Sequence, residues 1–300
     1  MVDPTGGRRR PPTAGATYDV RAHQHGNVLV EWYRYPPGPA GVTPSHSHAE
    51  YQLCLASGSA SRYRYRGGRI VVPPGSLSVL MPDEVHATEE PDDRRQTTRY
   101  QVLYVGPDRL RDVAAAIGGD RRGGLPFFAE AVLRDPELAV RYQRLHTGFA
   151  GGSSQLGRDV DLLATLVALV GRHAHGRTDR ESQTGPSRAA LLARAYLDDN
   201  YAEDVTLDGL AELVGLSPFH LARLFHTEVG MPPHAYQLQV RIARAKRLLV
   251  QGLPVSRVAG ETGFFDLSHF SRHFKRHVGV SPGAYASTAR TYITRTLDAV

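Results

Sequence analysis

The first hundred residues alternate between short apolar runs and breaks that contain Gly or Pro. The runs are four to eight residues long and rich in Val, Leu and Tyr, and pairs such as Ser57-Gly58 and Gly67-Gly68 separate them. Short runs bounded by turn residues are typical of β-strands in a sandwich or small barrel. The predicted strands cover residues 28–35, 51–56, 61–65, 69–72, 76–81 and 98–105.

Beyond residue 105 the apolar positions change to a helical spacing. Segments 111–117, 136–149 and 154–173 are predicted helices. In the third, Leu156, Val160, Leu163 and Val170 recur at a spacing that places them on one stripe. Such a stripe has to be covered, either by the rest of the chain or by a second copy of it.

The last hundred residues contain one supersecondary pattern twice. Six residues of the first copy return 49 positions later: Arg223, Phe225, Gly230, Pro233, Ala235 and Tyr236 become Arg272, Phe274, Gly279, Pro282, Ala284 and Tyr285. In each copy a helix (206–214 or 254–262) precedes a turn glycine and a second helix (217–228 or 266–277). This repeat predicts two helix-turn-helix modules.

The two modules are joined by a predicted helix at 233–251, which ends before Gly252 and Pro254. At 1.5 Å per residue this helix is about 28 Å long. Successive major grooves on one face of DNA lie about 34 Å apart. A rigid connector of this length would hold the second helix of each module, the recognition helix, near the spacing of two grooves.

The ends and the polar faces of the recognition helices support this interpretation. Ser217 and Asp266 are the predicted N-caps, and Pro218 suits the first helical position. The polar face of the second helix carries Arg272, Lys275 and Arg276. Arg can donate two hydrogen bonds to guanine, whereas Lys275 and Arg276 lie further along the helix and are better placed for phosphates.

These motifs resemble those of a known family. The Arg-x-Phe of each recognition helix, Gly263-Phe264, Gly279 and Pro282-x-x-Tyr285 are similar to the DNA-binding domain of AraC-type transcription regulators. The resemblance covers residues 187–287. It implies that the bases are read by Phe219, Ala222 and Arg223 in the first module, and by Leu267, Ser268, Ser271 and Arg272 in the second.

A second resemblance lies in the β-rich half. The runs from Pro44 to Gln52 and from Pro82 to His86 resemble the two motifs of cupin barrels, which implies a jelly-roll ligand-binding domain. A pocket for a small-molecule effector needs an apolar cavity with a few convergent polar groups. The candidate ligand-binding residues are His46, His48, Gln52, Tyr63, Tyr65 and His86, with Trp32 as a stacking surface.

Two other interpretations of the histidines stay open. His46 and His48 share one face of a strand, and with His86 they could hold Zn, Ni, Mn or Fe. Gln52 stands where cupin enzymes carry a glutamate, so we expect an organic ligand, no metal and no cofactor. The histidines could also be ordinary core or surface residues.

Composition agrees with a DNA-binding protein. The net charge of +6 favours a polyanionic partner. The one cysteine, Cys54, excludes an intrachain disulfide and a Cys-based zinc site, and its apolar strand predicts a buried, inert thiol. We see no signal-like start and no apolar run of membrane-spanning length, so we expect a cytoplasmic protein without membrane contact.

The sequence therefore predicts a multidomain β plus α architecture, with a cupin-like jelly-roll barrel and helical dimerisation segment before an all-α domain. The predicted parts are a disordered arm at 1–16, an effector-binding and dimerisation domain at 17–173, a flexible linker at 174–186, the DNA-binding domain at 187–287 and a tail at 288–300.

The expected function is transcription regulation, with activation implied by the resemblance. The predicted partners are double-stranded DNA, a small-molecule effector, a second copy of the chain bound through 154–173, and possible contact with RNA polymerase. Two alternatives stay open. One is a metal-dependent cupin enzyme, a dioxygenase or isomerase, with an appended helical domain. The other is an architectural DNA binder that has no effector.

Overall fold

The structure is a computed structural model that describes residues 19–118, 124–175 and 187–288. The predicted arm, most of the predicted linker and nearly all of the predicted tail lie outside these residues. The described part consists of a β-rich domain and an all-helical domain, as the sequence predicts.

Two antiparallel sheets form the β-domain. The larger sheet has the strand order β1-β2-β8-β3-β6-β9 and the smaller has the order β5-β4-β7. The strands are β1 (Asp19–His25), β2 (Val28–Tyr35), β3 (Tyr51–Ser57), β4 (Ser61–Tyr65), β5 (Gly68–Val72), β6 (Leu77–Leu80), β7 (His86–Glu89), β8 (Thr98–Val105) and β9 (Val132–Leu133). All six predicted strands are present, within one residue at each end.

Strands β1, β7 and β9 were not predicted. The sequence of β1 is Asp-Val-Arg-Ala-His-Gln-His, which is too polar to be identified as a strand on its own. It forms because all seven residues pair with β2, while Val20 and Ala22 are buried. Pairing and burial from elsewhere in the chain therefore outweigh a weak local preference.

Three helices cover one face of the larger sheet: α1 (Pro107–Ala116), α2 (Pro136–Thr147) and α3 (Gln155–His173). A short π-helical turn, Gly148–Gly152, connects the last two. The main core lies between these helices and the sheet and includes Leu53, Leu103 and Leu166. Tyr142 is fully buried there, and its hydroxyl donates to the carbonyl oxygens of Leu53 and Gln101 at 2.9 and 3.0 Å.

The second domain contains α4 (Arg188–Asp199), α5 (Leu207–Leu213), α6 (Pro218–Val229), α7 (Pro233–Val250), α8 (Val255–Glu261) and α9 (Leu267–Val278). A last helical segment follows at 282–288. Helix α4 was not predicted. Of the helices within the described ranges, none is long and apolar enough to cross a membrane.

Helix α7 belongs to the cores of both helix-turn-helix modules. Its Tyr236 packs with Phe225 of α6, while Ala245 and Leu249 pack with Phe274 of α9. Phe225 and Phe274 have no solvent exposure, and truncating such a side chain to Ala typically costs about 3–5 kcal/mol. The connector therefore fixes the position of one module relative to the other.

The β-domain completes the core of the second module. Val20, Ala22 and Leu29, from the hairpin of β1 and β2, lie in the same buried cluster as Phe270 and Phe274 of α9. The domains therefore share apolar surface.

Candidate DNA interface and effector site

The two recognition helices, α6 and α9, begin and end in the same way. The Ser217 and Asp266 side chains accept hydrogen bonds from the third backbone N–H beyond them, at His220 and His269. Each helix ends at a glycine in the left-handed region, with φ of 84° at Gly230 and 93° at Gly279. Because side chains are disfavoured at such angles, these glycines define where the helices stop.

The buried stripes of the two helices also match. Leu221, Phe225 and Val229 are the buried residues of α6, and Phe270, Phe274 and Val278 are those of α9. Each position recurs 49 residues later, so the sequence repeat is a structural repeat.

The faces opposite these stripes are open to solvent. The structure exposes Phe219, Arg223, Leu267, Ser268, Arg272, Lys275 and Arg276 and leaves Ala222 and Ser271 half-buried. In the described part of the chain, no carboxylate forms an ion pair with any of the four basic side chains. All nine predicted DNA-binding residues therefore lie on or beside surfaces that can approach a groove.

Phe265 is a candidate that the sequence did not reveal. It is 94% exposed, in the turn just before α9. The sequence carries a usable signal for it. The turn glycines Gly215 and Gly263 are 48 positions apart, whereas the helix residues are 49 apart, so the second module has one extra residue in its turn. An aromatic ring there could contact a thymine methyl group.

In the β-domain, three of the predicted effector residues come together. His46 and His86 exchange two backbone hydrogen bonds of 2.8 Å, and their ring centroids are 4.2 Å apart. The ring of His48 lies 5.0 Å from that of His86. We call His46, His48 and His86 the histidine cluster.

Each ring of the histidine cluster directs Nδ1 at a backbone carbonyl oxygen. The acceptors are Pro44 at 2.9 Å for His46, Glu50 at 2.6 Å for His48, and Glu84 at 3.0 Å for His86. A nitrogen that faces a carbonyl carries the proton, so Nε2 is left as the acceptor in neutral His46 and His86, whereas Nε2 of His48 faces the side-chain oxygen of Gln52. The cluster therefore presents imidazole lone pairs.

Burial keeps these rings neutral. It lowers the pKa of His46 to about 4, with help from the neighbouring His48. Burial, followed by the charges of His46 and His48, holds the pKa of His86 well below its ordinary value. The pKa of His48 is lowered as well, again chiefly by burial.

The cluster does not have the arrangement of a metal site. His48 Nε2 is already engaged by the Gln52 side-chain amide at 3.0 Å. Across the described ranges, no group of three His, Cys, Asp or Glu side chains is placed to hold a metal ion. The organic-ligand and core-residue interpretations of these histidines both stay open.

The structure distributes the other predicted pocket residues differently. Tyr65 is the cross-strand partner of His86, and it is buried. Tyr63 is buried between the sheets, with its hydroxyl 2.9 Å from that of Ser78. Trp32 is not brought to the cluster, because it packs on the helix-covered face of the larger sheet, where its ring meets His146 at 5.5 Å.

Comparison with known proteins agrees with this architecture. A family model described as an AraC-like ligand binding domain matches residues 36–166, and one described as a helix-turn-helix domain matches residues 210–288. The chain is 33% identical to the HTH-type transcriptional regulator YbfI of Bacillus subtilis, over 84% of this chain and 88% of that protein. The protein belongs to the AraC-type transcription regulators.

More distant relatives share the same organisation. The HTH-type transcriptional activator RhaS of Escherichia fergusonii is 25% identical, over 86% of this chain and 91% of its own. The crystal structure of ToxT from Vibrio cholerae is 13% identical with a TM-score of 0.58, over 87% of this chain and 98% of that chain. The ToxT likeness shows the fold alone.

Family membership makes this AraC-type protein a ligand-responsive, DNA-binding transcription regulator. The relatives are named as regulators, so the cupin-enzyme alternative has no support from them. This also places the histidine cluster in a ligand-binding domain rather than in a catalytic one.

In this AraC-type regulator the histidine cluster adjoins the contact between the two domains. The Gln239 side chain of α7 donates to the Ser45 carbonyl oxygen at 2.7 Å and accepts from the Ser47 N–H at 2.8 Å. Arg247 of the same helix pairs with Glu50. Segment 45–50 thus carries two cluster histidines, His46 and His48, and also binds the helix that joins the DNA-binding modules.

Proposed function

We propose that this AraC-type regulator is a homodimeric activator that reads DNA through α6 and α9 and responds to a small organic effector bound beside the histidine cluster. The observation that carries the proposal is the pair of matching recognition helices, with exposed polar faces, on one connector. Helix α7 has 18 residues and is about 27 Å long, which suits successive major grooves.

In this proposal the two modules divide the work of recognition. Arg223 and Arg272 read base edges, and Phe219, Ala222, Leu267, Ser268 and Ser271 complete the surface that meets the bases. Lys275 and Arg276 bind phosphates. The division is supported by position, because both Arg residues occupy the same place in their modules, 49 residues apart. We assign these roles to domain 187–287.

The effector acts through segment 45–50. A ligand that contacts His46 or His48 touches the segment that Gln239 and Arg247 bind, and one that contacts His86 reaches this segment through the backbone hydrogen bonds between His86 and His46. It can change DNA binding only if its affinity differs between two arrangements of the domains. In an arrangement that keeps the hydrogen bonds from α7 to segment 45–50, the ligand has different neighbours from those in an arrangement that breaks them.

Dimerisation through α3 is supported by its uncovered apolar stripe. Leu156, Val160 and Leu163 are 73%, 58% and 49% exposed at helical spacing. If the α3 helices of two protomers pack side by side, in either direction, each helix covers the apolar stripe of the other. In this proposal domain 17–173 joins the protomers, and each protomer binds one half-site.

Activation implies contact with RNA polymerase at a promoter, and therefore a place in the cytoplasm, where the DNA is. RhaS is named as an activator, which supports this sign of regulation.

Selection of preferred sequences from random duplexes tests the proposal. We expect enriched sites with two short conserved blocks about one helical turn apart, one for each module. Arg223→Ala should reduce the base preference in one block, and Arg272→Ala should reduce it in the other. Adding metabolite extract should change the affinity or the spacing of sites. A protein that enriches nothing over scrambled competitor would contradict the DNA-reading role, and an extract without effect would favour an architectural binder.

A further inference from the structure

A cavity of about 560 Å³ lies between the two domains, next to the histidine cluster. Its lining includes Arg64, Tyr65, Arg66, Arg69 and His86 of the β-domain, and Gly230 of the helical domain. Cavities of about 300–1,000 Å³ commonly hold small organic ligands. Two of the sequence-predicted effector residues, Tyr65 and His86, therefore border a space of suitable size.

The lining is basic. Three arginines contribute to it, and none of the described residues that line it is acidic. Glu89 pairs with Arg64 at 2.6 Å and Glu84 with Arg66 at 2.8 Å from outside the lining. Three guanidinium groups against two carboxylates leave one net positive charge, which suits a ligand with a single negative charge.

Arg69 is the arginine best placed to meet that charge. Its side chain is 70% exposed, and its one ion pair among the described residues is long, with 4.0 Å between Arg69 Nε and Glu89 Oε2. Arg66, by contrast, uses its donors on Glu84 and on the carbonyl oxygens of Phe128 and Ala129. Arg64 contacts Glu89 through Nε, and a guanidinium has further N–H donors.

The histidine in the lining, His86, is suited to bind a hydrogen-bond donor rather than a negative charge. His86 is buried, and within the described part of the chain its Nε2 has no hydrogen-bond partner. Its Nδ1 faces the Glu84 carbonyl oxygen at 3.0 Å, so Nε2 is an acceptor. A buried acceptor without a donor is unfavourable, and a ligand hydroxyl would supply the missing donor.

We infer that this cavity binds a hydroxylated monocarboxylate, with the carboxylate against Arg69 and Arg64 and a hydroxyl on His86. The inference rests on the proposed function, because it gives the effector of that regulator a chemical class and a location.

The site also reaches a recognition helix. Gly230 ends α6, and a Cβ placed there would lie 3.1 Å from a methyl group of Val85 in the β-domain. A ligand in the cavity therefore touches the β-domain and the end of the first recognition helix together. This gives the ligand direct contact with both domains.

Calorimetric titration of the full chain tests the inference. Gluconate, lactate and mandelate serve as hydroxy-acid probes, sorbitol supplies hydroxyls without charge, and hexanoate supplies charge without hydroxyls. We expect at least one hydroxy acid to bind saturably below 10 mM (about −2.7 kcal/mol). We expect it to bind more tightly than either sorbitol or hexanoate.

Variants locate the binding. Arg69→Gln should weaken binding of the hydroxy acid about tenfold, because the variant loses a charge-assisted hydrogen bond to the carboxylate. Arg62→Gln is the matched control, because Arg62 is exposed on the same strand as Arg64 but is not part of the lining. The control should bind as the wild type does, and both variants should keep the unfolding temperature of the wild type.

Four outcomes overturn the inference. They are that no hydroxy acid binds, that sorbitol binds equally well, that hexanoate binds equally well, or that Arg69→Gln has no more effect than Arg62→Gln. The DNA selection described above is run on the same preparation. Successful selection without acid binding removes the ligand assignment alone, whereas acid binding without any selected DNA removes the regulatory role and leaves the site.

Discussion

Lys246 Nζ of α7 lies 2.9 Å from a carboxylate oxygen of Glu31 on β2, and Glu31 has no solvent exposure. The same carboxylate accepts hydrogen bonds from Tyr33 at 2.6 Å and from Tyr285 of the helical domain. One buried acid of the β-domain thus binds two residues of the other domain. This contact fixes the orientation of the connector between the modules.

Loss of either partner should destabilise the docked domains. Glu31→Gln leaves the Lys246 ammonium, only 13% exposed, without its counter-charge, and breaking such buried pairs costs about 3–5 kcal/mol. We expect Glu31→Gln to lower the free energy of unfolding, measured in urea, by about 3 kcal/mol. Lys246→Met should lower it by a similar amount. The double variant should lose less than the sum of the two. Additive losses would show that the pair is not coupled.

Arg272→Ala should weaken binding to a selected site by about 1–3 kcal/mol and relax the preference at one base pair. Lys275→Ala should instead weaken all sequences alike and reduce the salt dependence. Arg257→Ala is the control, because Arg257 is exposed on α8, where it pairs with Glu261. Binding measured on specific and scrambled duplexes at several salt concentrations separates the three, and unchanged specificity in Arg272→Ala would refute the assigned role.

Leu163→Arg should convert the proposed dimer to a monomer. Leu163 is 49% exposed in the centre of the α3 stripe, and two buried guanidinium groups would repel each other there. Sedimentation equilibrium measures the change. Val71→Arg is the control, since Val71 is 56% exposed but lies on β5. If both variants have the mass of the wild type, α3 is not the dimer contact.

Cys54 should be unreactive in the native protein. The thiol is fully buried, and burial raises its pKa to about 12, so almost no thiolate is present at pH 8. A thiol-specific chromogenic disulfide should react with one thiol per chain in urea and with none within an hour in buffer. Rapid reaction of the folded protein would show that β3 opens readily.

His146 should make stability depend on pH. Neither of its ring nitrogens has a partner among the described residues, and burial lowers its pKa to about 3. The unfolded chain therefore binds a proton that the folded chain excludes. The associated stability is complete above pH 6.5 and is lost as the pH falls from 6.5 towards 3.

At pH 5 this loss is about 2 kcal/mol, since each pKa unit corresponds to about 1.4 kcal/mol. In His146→Leu, unfolding by urea should depend less steeply on pH between 6.5 and 5. The measurement at pH 7.5, where the proton is absent from both states, is the internal control. Equal slopes for the two proteins would mean that His146 is protonated in the folded state.

The recognition helices could be predicted because their signals are local. Ser217 and Asp266 act on N–H groups three residues away, and Phe225 and Phe274 lie on stripes set by the helical period. His46 and His48 do come together, but not on a strand as the sequence predicted, because segment 45–50 forms only an isolated bridge at His46. His86 joined them through its motif, although its own strand, β7, is only four residues long and was missed.

Other features depend on contacts between distant parts of the chain. Glu31 is the one acidic residue of β2, and a carboxylate ordinarily lies in solvent, yet Lys246 and Tyr285 pair with it and it is fully buried. Trp32, its neighbour, points to the opposite face and therefore away from the histidine cluster. The sequence of a strand does not by itself determine which of its faces another domain will cover.

The sequence by itself determined the two helix-turn-helix modules, the strands with clear punctuation and the family, because caps, turns and periodic stripes act over a few residues. Tertiary structure alone decided that β1 forms, that α7 is bound to segment 45–50, and that an arginine-lined cavity opens beside Gly230. These features depend on pairing and desolvation between residues as many as 254 positions apart, such as Glu31 and Tyr285. Such energies exist only once the chain has brought the groups together.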